Sequence, residues 1–441
     1  MKPTGILFFP AFDWSLGETH PEREERLLYT QEQLLEEGIL DLPNIRQYSP
    51  GLAPLAEVLR TQGIFPSPHA HELDAHLIAA GSALVLGEAW AKGEIRNGFA
   101  LVRPPGHHAG ATVLGNRGFC TLNNEGILVN FLRAHYGVKK IAIIDTDVHH
   151  GNGTQDIFYH DPNVLFISLH QDGRTLYPGS GFPHEKGGPN AWGQTLNIPL
   201  PPGTGDEGFQ YILETWVLPK IQEFSPDLII NSAGQDNHFT DPLASMNVTA
   251  QGYAKITDML KPDLAVLEGG YSIEGALPYV NLAILLALAG EDFSNVRETE
   301  QLRRPHIPLK TLKSYGFELT YEYKHTQPQW TVRNELHLPA GEWVFIPHSI
   351  YYDTDGFQEI RHDRVRRCQN CGGTVYIETQ RSLEKKKYAL VRIPFQACPE
   401  CAQAGYDLWD YLIGRYQAVL LQDQLTNRTE FWHIDQGVTT Y

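Results

Sequence analysis

Four short segments of this chain carry residues able to do chemistry. Arg103-Pro104-Pro105-Gly106-His107-His108 sets two adjacent imidazoles behind a backbone that prolines stiffen. Asp145-Thr146-Asp147-Val148-His149-His150-Gly151-Asn152-Gly153 alternates carboxylates and imidazoles. In extended backbone residues two apart point the same way, so Asp147 and His149 can share one metal, with Asp145 on the same side. Ser232-Ala233-Gly234-Gln235-Asp236-Asn237-His238 offers a further carboxylate, and Leu267-Glu268-Gly269-Gly270-Tyr271 offers close backbone approach followed by a phenol. Each segment alone is compatible with an ordinary structural role; their joint occurrence is what carries meaning. Two carboxylates and one imidazole form a three-ligand set with an open position, as a catalytic zinc requires. A borderline metal held by mixed nitrogen and oxygen ligands acidifies water and polarises a carbonyl. Tandem histidines supply a general base and acid, and a tyrosine hydroxyl can stabilise an oxyanion. The chemistry these residues suggest is metal-assisted hydrolysis of an amide or similar acyl bond.

The segments follow apolar runs at 99–102, 141–144, 164–168, 228–231 and 264–267, which read as buried parallel strands. Helical patterns lie between several of them. One opens at Asn123 or Asn124 as N-cap, with Ile127, Leu128, Phe131 and Leu132 on one side; another starts near Asp206 and runs toward Phe224. This alternation predicts an α/β fold with an open, mostly parallel central sheet and helices on both faces. Ligands in such sheets bind beyond the carboxyl ends of the strands, where the polar segments sit.

The chain has 441 residues, 42% of them hydrophobic and 20% charged, enough for a sizeable core and against global disorder. Its net charge of −17 disfavours nucleic acid or an anionic membrane as a general partner. No signal peptide is evident, and the longest apolar run, 282–289, is far below the roughly 20 residues needed to span a bilayer. Charge divides unevenly: 17 Lys and Arg against 16 Asp and Glu from position 301 onward, leaving an excess of acids before it. Texture changes at the same place, with a boundary expected near 295–310. That division gives a catalytic domain over 1–300 and a β-rich region over 301–441, in which 317–323 and 343–346 read as antiparallel strands. Cys368-Gln369-Asn370-Cys371 and Cys398-Pro399-Glu400-Cys401 are 26 residues apart, joined by strand-like sequence at 374–379 and 387–393. The pattern predicts a zinc ribbon over about 360–405 with a closed site of Cys368, Cys371, Cys398 and Cys401, and Gly372-Gly373 supplies the tight knuckle. Thiols so arranged point to a reducing compartment, hence the cytoplasm, and Cys120 reads as core packing. Arg361, Arg364, Arg366, Arg367 and Lys385-Lys386-Lys387 form a basic cluster that reads as a solvated hairpin face or as a docking surface for nucleic acid or an acidic partner protein, and among the docking readings the chain's own acidic domain or a second copy in a homo-oligomer is favoured by the charge balance.

The four segments, with His20-Pro21-Glu22-Arg23-Glu24-Glu25-Arg26, resemble the motifs of the histone deacetylase family, which includes bacterial deacetylase-like amidohydrolases and acetylpolyamine amidohydrolases. The resemblance runs from about Gly17 to about Leu288. It implies the arginase–deacetylase fold and a zinc-dependent deacylase acting on Nε-acetyl- or acyl-lysine, or alternatively on acetylpolyamines or other small N-acyl amides; with no obvious nuclear import signal in the sequence, a prokaryotic cytoplasmic setting fits best. By position, Asp147, His149 and Asp236 would ligate the catalytic zinc, with the cysteines holding a second, structural one. His108 would be general base and then acid, His107 would assist while bonded to Asp145, and Tyr271 would polarise the substrate carbonyl. Asn152 falls where many relatives place Asp beside His108; Asn is typical of the class II branch and should lower imidazole basicity. Gly118-Phe119-Cys120 matches the family's tunnel wall, so Gly118 and Phe119 would line the substrate. Tyr177 stands where relatives usually carry Phe and would narrow or polarise the tunnel mouth. Leu243 occupies the place of an acidic gatekeeper in a polyamine-specific relative, which weakens the case for a cationic substrate. A potassium site is implied at Asp145, Asp147, His149, Ser168 and Leu169. An arginase-like two-metal site is opposed by Gly151, and a catalytically dead scaffold by the presence of every implied catalytic residue.

Overall fold

The computed structural model describes residues 2–17, 19–298, 306–333 and 335–441; the middle of the expected boundary region, 299–305, lies outside them. Eight parallel strands make the central sheet: β1 (Thr4–Phe9), β2 (Ile45–Tyr48), β3 (Asn97–Val102), β4 (Ile141–Asp145), β5 (Val164–Gln171), β6 (Thr195–Leu200), β7 (Leu228–Ser232) and β8 (Leu264–Val266). Their spatial order is β2-β1-β3-β8-β7-β4-β5-β6. The five strands expected from apolar runs all form. Because β4, β5, β7 and β8 are buried nearly end to end, their sequences carry continuous apolar runs, as a sheet covered on both faces demands, whereas the edge strand β6 alternates Thr195 and Asn197 with Leu196 and Ile198 and was not expected.

Helix α1 (Asp74–Ala91) and helix α2 (Asn124–Tyr136) pack on one face. The Asn123 side chain caps α2 by accepting from the Gly126 amide at 2.7 Å, and Gly137 closes it in the left-handed region. Helix α3 (Asn152–Phe158) follows β4 directly. Helices α4 (Ala250–Leu260) and α5 (Leu277–Ala289) cover the other face. The helix expected from Asp206 toward Phe224 is present, with a π turn at Leu213–Val217 in its middle.

One expectation fails. Residues 317–323 belong not to a strand but to helix α6 (Leu309–His325). Leu312, Gly316 and Leu319 are its buried residues, spaced four and three apart, and they pack toward the second face.

The C-terminal region holds a second eight-stranded sheet: β9 (Thr331–Val332), β10 (Trp343–Tyr352), β11 (Phe357–Arg366), β12 (Val375–Arg381), β13 (Tyr388–Ile393), β14 (Ala418–Asp423), β15 (Arg428–His433) and β16 (Gly437–Thr440), in sequence order. All pairings are antiparallel except β13 with β14, which helix α7 (Pro399–Leu412) connects as a crossover. The hairpin expected of a ribbon forms as β12 and β13. The second cysteine pair sits at the start of α7, so the four thiols come from one knuckle and one helix N-terminus.

The two sheets share a hydrophobic core rather than meeting as separate bodies. Phe65 stacks on Tyr388 at 5.2 Å, and Val365, Leu390, Leu420 and Phe431 join Leu59 and Ile127 in one cluster. Buried polar contacts fix the arrangement. Arg361 reaches Asp156 of α3 at 2.7 and 2.8 Å, Arg392 donates to the carbonyls of Ile157 and Thr61, and Gln422 to that of Leu59. Much of the basic cluster is thereby spent within the chain: Arg364 pairs with Glu335, Arg366 with Glu400 and Arg367 with Glu342.

Candidate active site

The strand ends deliver the four segments to one place. Asp147, His149 and Asp236 are buried, and one ligand atom from each lies within 4.8 Å of the others. His149 Nδ1 is 3.1 Å from both Asp147 Oδ1 and Asp236 Oδ2, so the imidazole nitrogen and two carboxylate oxygens converge. The remaining lone pairs are held by backbone: Asp147 Oδ2 accepts from the Gly269 amide at 2.7 Å and Asp236 Oδ1 from that of Val148 at 2.8 Å. A compact set of two oxygens and one nitrogen, orientated by amides, fits a divalent cation such as zinc.

His107 and His108 lie beside this cluster, their rings 4.1 Å apart. His107 Nδ1 meets buried Asp145 at 3.0 Å. Burial alone would depress His107, but Asp147 and Asp145 together outweigh it and raise the pKa to about 10. His108 goes the opposite way: burial first, then the charge on His107 and His149, drive it well below its ordinary value. The two adjacent imidazoles are thus pushed in opposite directions, the arrangement that separates an electrostatic partner from a neutral base. The Asn152 side-chain oxygen, 2.9 Å from His108 Nδ1, accepts that nitrogen's proton and leaves Nε2 bare. The pair's backbone is fixed by Glu268, whose carboxylate accepts from the Gly106 and His107 amides at 2.7 and 2.9 Å.

Tyr271 is buried, and burial raises its phenol well above the ordinary value against the pull of Arg26, so it stays a donor. Its backbone amide donates to Asp241 at 2.8 Å. Arg26 lies 4.9 Å over the ring, donates to the Gly270 carbonyl at 2.7 Å, and pairs with buried Glu22, which also holds Arg103. The N-terminal motif's Glu22 and Arg26 therefore support Tyr271. Their four-residue spacing could have suggested the ion pair between them, but not its contact with Tyr271.

Phe119 approaches Tyr271 at 5.7 Å, and Tyr177 approaches His108 at 5.1 Å. Gly118 is in the left-handed region at φ +52°, and a Cβ there would lie 2.4 Å from the His108 ring, so no other residue fits. Leu243 lines an open cavity of about 480 Å³ together with His20, Thr240, Tyr271 and Glu274. Of the proposed monovalent-cation residues, Ser168 pairs with Asp145 across β4 and β5, and Ser168 and Leu169 are fully buried. Gly151 leaves no space for a second metal ligand, since a Cβ there would be 1.9 Å from Asp145.

The four cysteines form the second candidate metal centre. None is in a disulfide, and Cys368 Sγ lies 3.7 Å from both Cys398 Sγ and Cys371 Sγ. That spacing suits the edge of a tetrahedron built on zinc–sulfur bonds of about 2.3 Å. The amides of Asn370 and Gly373 and the Arg366 guanidinium point at sulfurs, which favours thiolates.

The histone deacetylase domain family matches residues 46–286, more than half of the chain. This chain belongs to the histone deacetylase family. A probable deacetylase of Archaeoglobus fulgidus is 46% identical over 325 residues, spanning 67% of this chain and 89% of that protein. A histone deacetylase-like amidohydrolase of Pseudomonas aeruginosa is 37% identical over 255 residues, 55% of this chain and 66% of that protein. Among solved structures, the crystal structure of the HDA15 HD domain superposes with a TM-score of 0.60 at 33% identity, covering 67% of this chain and 92% of that one. Membership makes the chain a hydrolase of deacetylase type, and the family match lies on the central sheet that carries the buried cluster. Among the described residues no helix is long and apolar enough to cross a membrane.

Proposed function

We propose that the protein is a zinc-dependent cytoplasmic deacylase that hydrolyses the amide of Nε-acyl-lysine in proteins or peptides. The observation that carries this reading is the buried three-ligand cluster with two adjacent histidines beside it, His107 bonded to Asp145 and His108 to Asn152, and a buried tyrosine in the loop that also supplies the Gly269 amide to the cluster.

A zinc ion held by Asp147, His149 and Asp236 would supply Lewis acidity toward the amide carbonyl and the attacking water. His108, neutral and with Nε2 free, takes the proton from that water and later delivers it to the departing amine. His107, hydrogen-bonded to Asp145, assists electrostatically beside the negative charge that develops. Tyr271 donates its hydroxyl proton in a hydrogen bond to the developing oxyanion. Phe119 and Tyr177 hold the methylene chain of the lysine between aromatic faces. A structural zinc on the four cysteines and a potassium ion near Asp145 and Ser168 complete the proposed ion complement.

Turnover of acyl-lysine peptides of increasing acyl length, set against N-acetylputrescine, tests the substrate. Chelation should abolish activity and zinc should restore it. Tyr271→Phe should lose on the order of 10²-fold or more in kcat while retaining zinc. Near wild-type turnover in that variant, or preference for the polyamine, would count against this reading.

A further inference from the structure

We propose that the hairpin between β10 and β11 of the C-terminal sheet is part of the substrate tunnel, and that Asp353 sets the tunnel's width by tying its two aromatic walls together. This rests on the acyl-amide reading above. Asp353 Oδ1 accepts from the Tyr177 hydroxyl at 3.0 Å and from the Gly118 amide at 2.9 Å. One oxygen from outside the family's domain thus joins the Tyr177 wall to the residue immediately before Phe119.

The contact belongs to a larger graft. Segment 112–118 is held by the same hairpin at several points. The Asn116 amide donates to Asp355 at 2.6 Å, the Leu114 amide to the Tyr352 hydroxyl at 3.3 Å, and Tyr352 donates in turn to the Thr112 carbonyl at 3.2 Å. Gly115 makes this approach feasible, since a Cβ there would fall 2.1 Å from Asp355. Within the loop itself the ties are the Arg117–Cys120 bridge, the Cys120 thiol on the Gly118 carbonyl at 3.3 Å and the Thr121 hydroxyl on Asn116. Phe119 sits at φ +68°, a costly conformation for a residue with a side chain, and the Asp353 carboxylate adds a hold from outside the loop at the amide between Arg117 and Gly118.

The consequence is selectivity. Tyr177 stands against His108 and His149 and Phe119 against Tyr271, so on the acyl-amide reading the acyl head reaches the buried cluster between them. With the walls joined, slender unbranched heads pass and branched ones are refused. A tyrosine rather than a phenylalanine at 177 gives the strut its second anchor. Asp353 touches no reacting atom; it is a positioning residue that fixes specificity.

The test compares kcat/KM for Nε-isobutyryl- and Nε-acetyl-lysine peptides in Asp353→Ala, Asp353→Asn, Tyr177→Phe and the Asp353→Ala/Tyr177→Phe double variant of the full chain. Asp353→Ala should raise the isobutyryl-to-acetyl ratio about tenfold. Asp353→Asn, which keeps the accepting oxygen, should stay within about twofold of wild type. The double variant should not exceed Asp353→Ala, because both changes break one link. An unchanged ratio in Asp353→Ala, or additive effects, would overturn the strut. Hydrogen exchange at the Gly118 amide supplies a readout that needs no turnover: protection should fall in Asp353→Ala and persist in Asp353→Asn, and equal protection in both would also overturn it. A wild-type protein that hydrolyses neither peptide would sink the acyl-amide reading and the specificity role, while the exchange result would still decide the strut.

Discussion

At the residue scale the site works by giving chemically identical side chains different environments. His107 faces two carboxylates, whereas His108 faces a neutral amide and two imidazoles. The choice of Asn at 152 is therefore a choice about basicity. Replacing it with a carboxylate would stabilise the imidazolium and raise the His108 pKa by about one unit or more. A base must be unprotonated to act, so Asn152→Asp should move the acidic limb of the kcat/KM profile to higher pH by a similar amount. A limb that stays in place would show that His108 is not the group titrating. The convergence of these residues was legible because they stand in short contiguous motifs. The support for Tyr271 was not, since Arg26 meets Gly270 across 244 positions of sequence and nothing local announces the contact.

At the scale of elements, the parallel strands were readable from their apolar runs because a strand buried on both faces has no other composition available. Helix α6 was misread for a related reason. Phe317, Leu319, Tyr321 and Tyr323 alternate with polar residues, which mimics one buried strand face. Yet Phe317 and Tyr321 are 72% and 60% exposed, and the buried stripe runs through Leu312, Gly316 and Leu319. Seven residues carry too little pattern to separate the two periods. The loops after the strands make a sharper prediction. Gly269 follows β8 and passes so close to the cluster that a Cβ would lie 2.2 Å from Asp236 and 2.5 Å from Asp147. Gly269→Ala must push both carboxylates apart. Calorimetric titration should find zinc affinity at the catalytic site down at least tenfold, with the cysteine site still filled; unimpaired binding at both would contradict the ligand assignment.

At the scale of the whole molecule, the C-terminal sheet is a structural partner of the catalytic sheet, and sequence could not reveal this because every contact between them is long-range. The composition hinted at it only through opposite charge balance. Chains ending at residue 330 should expose Phe65, Leu59 and the α2 face, and should be recovered mainly as aggregate; a soluble, fully active truncation would show that the shared core is dispensable. The same burial makes the fold sensitive to acid. His76 and His170 are held neutral to about pH 3 and His160 to about pH 4, in each case chiefly by burial. Neither ring nitrogen of His76 has a hydrogen-bond partner among the described residues. In the unfolded chain these groups would titrate near 6.5. Between that value and about 4 these histidines bind more protons in the unfolded state than in the folded one, so their contribution to stability is whole above pH 6.5 and falls as pH is lowered through this window. Each such histidine contributes up to about 1.4 kcal/mol per pH unit. His76→Leu, which removes one of these titrations, should therefore lose less melting temperature than the wild type between pH 6.5 and 4.5. An identical change in the two proteins would mean that the His76 imidazole finds a proton-accepting partner when charged, and that its burial is less complete than the packing of Trp14 against it implies.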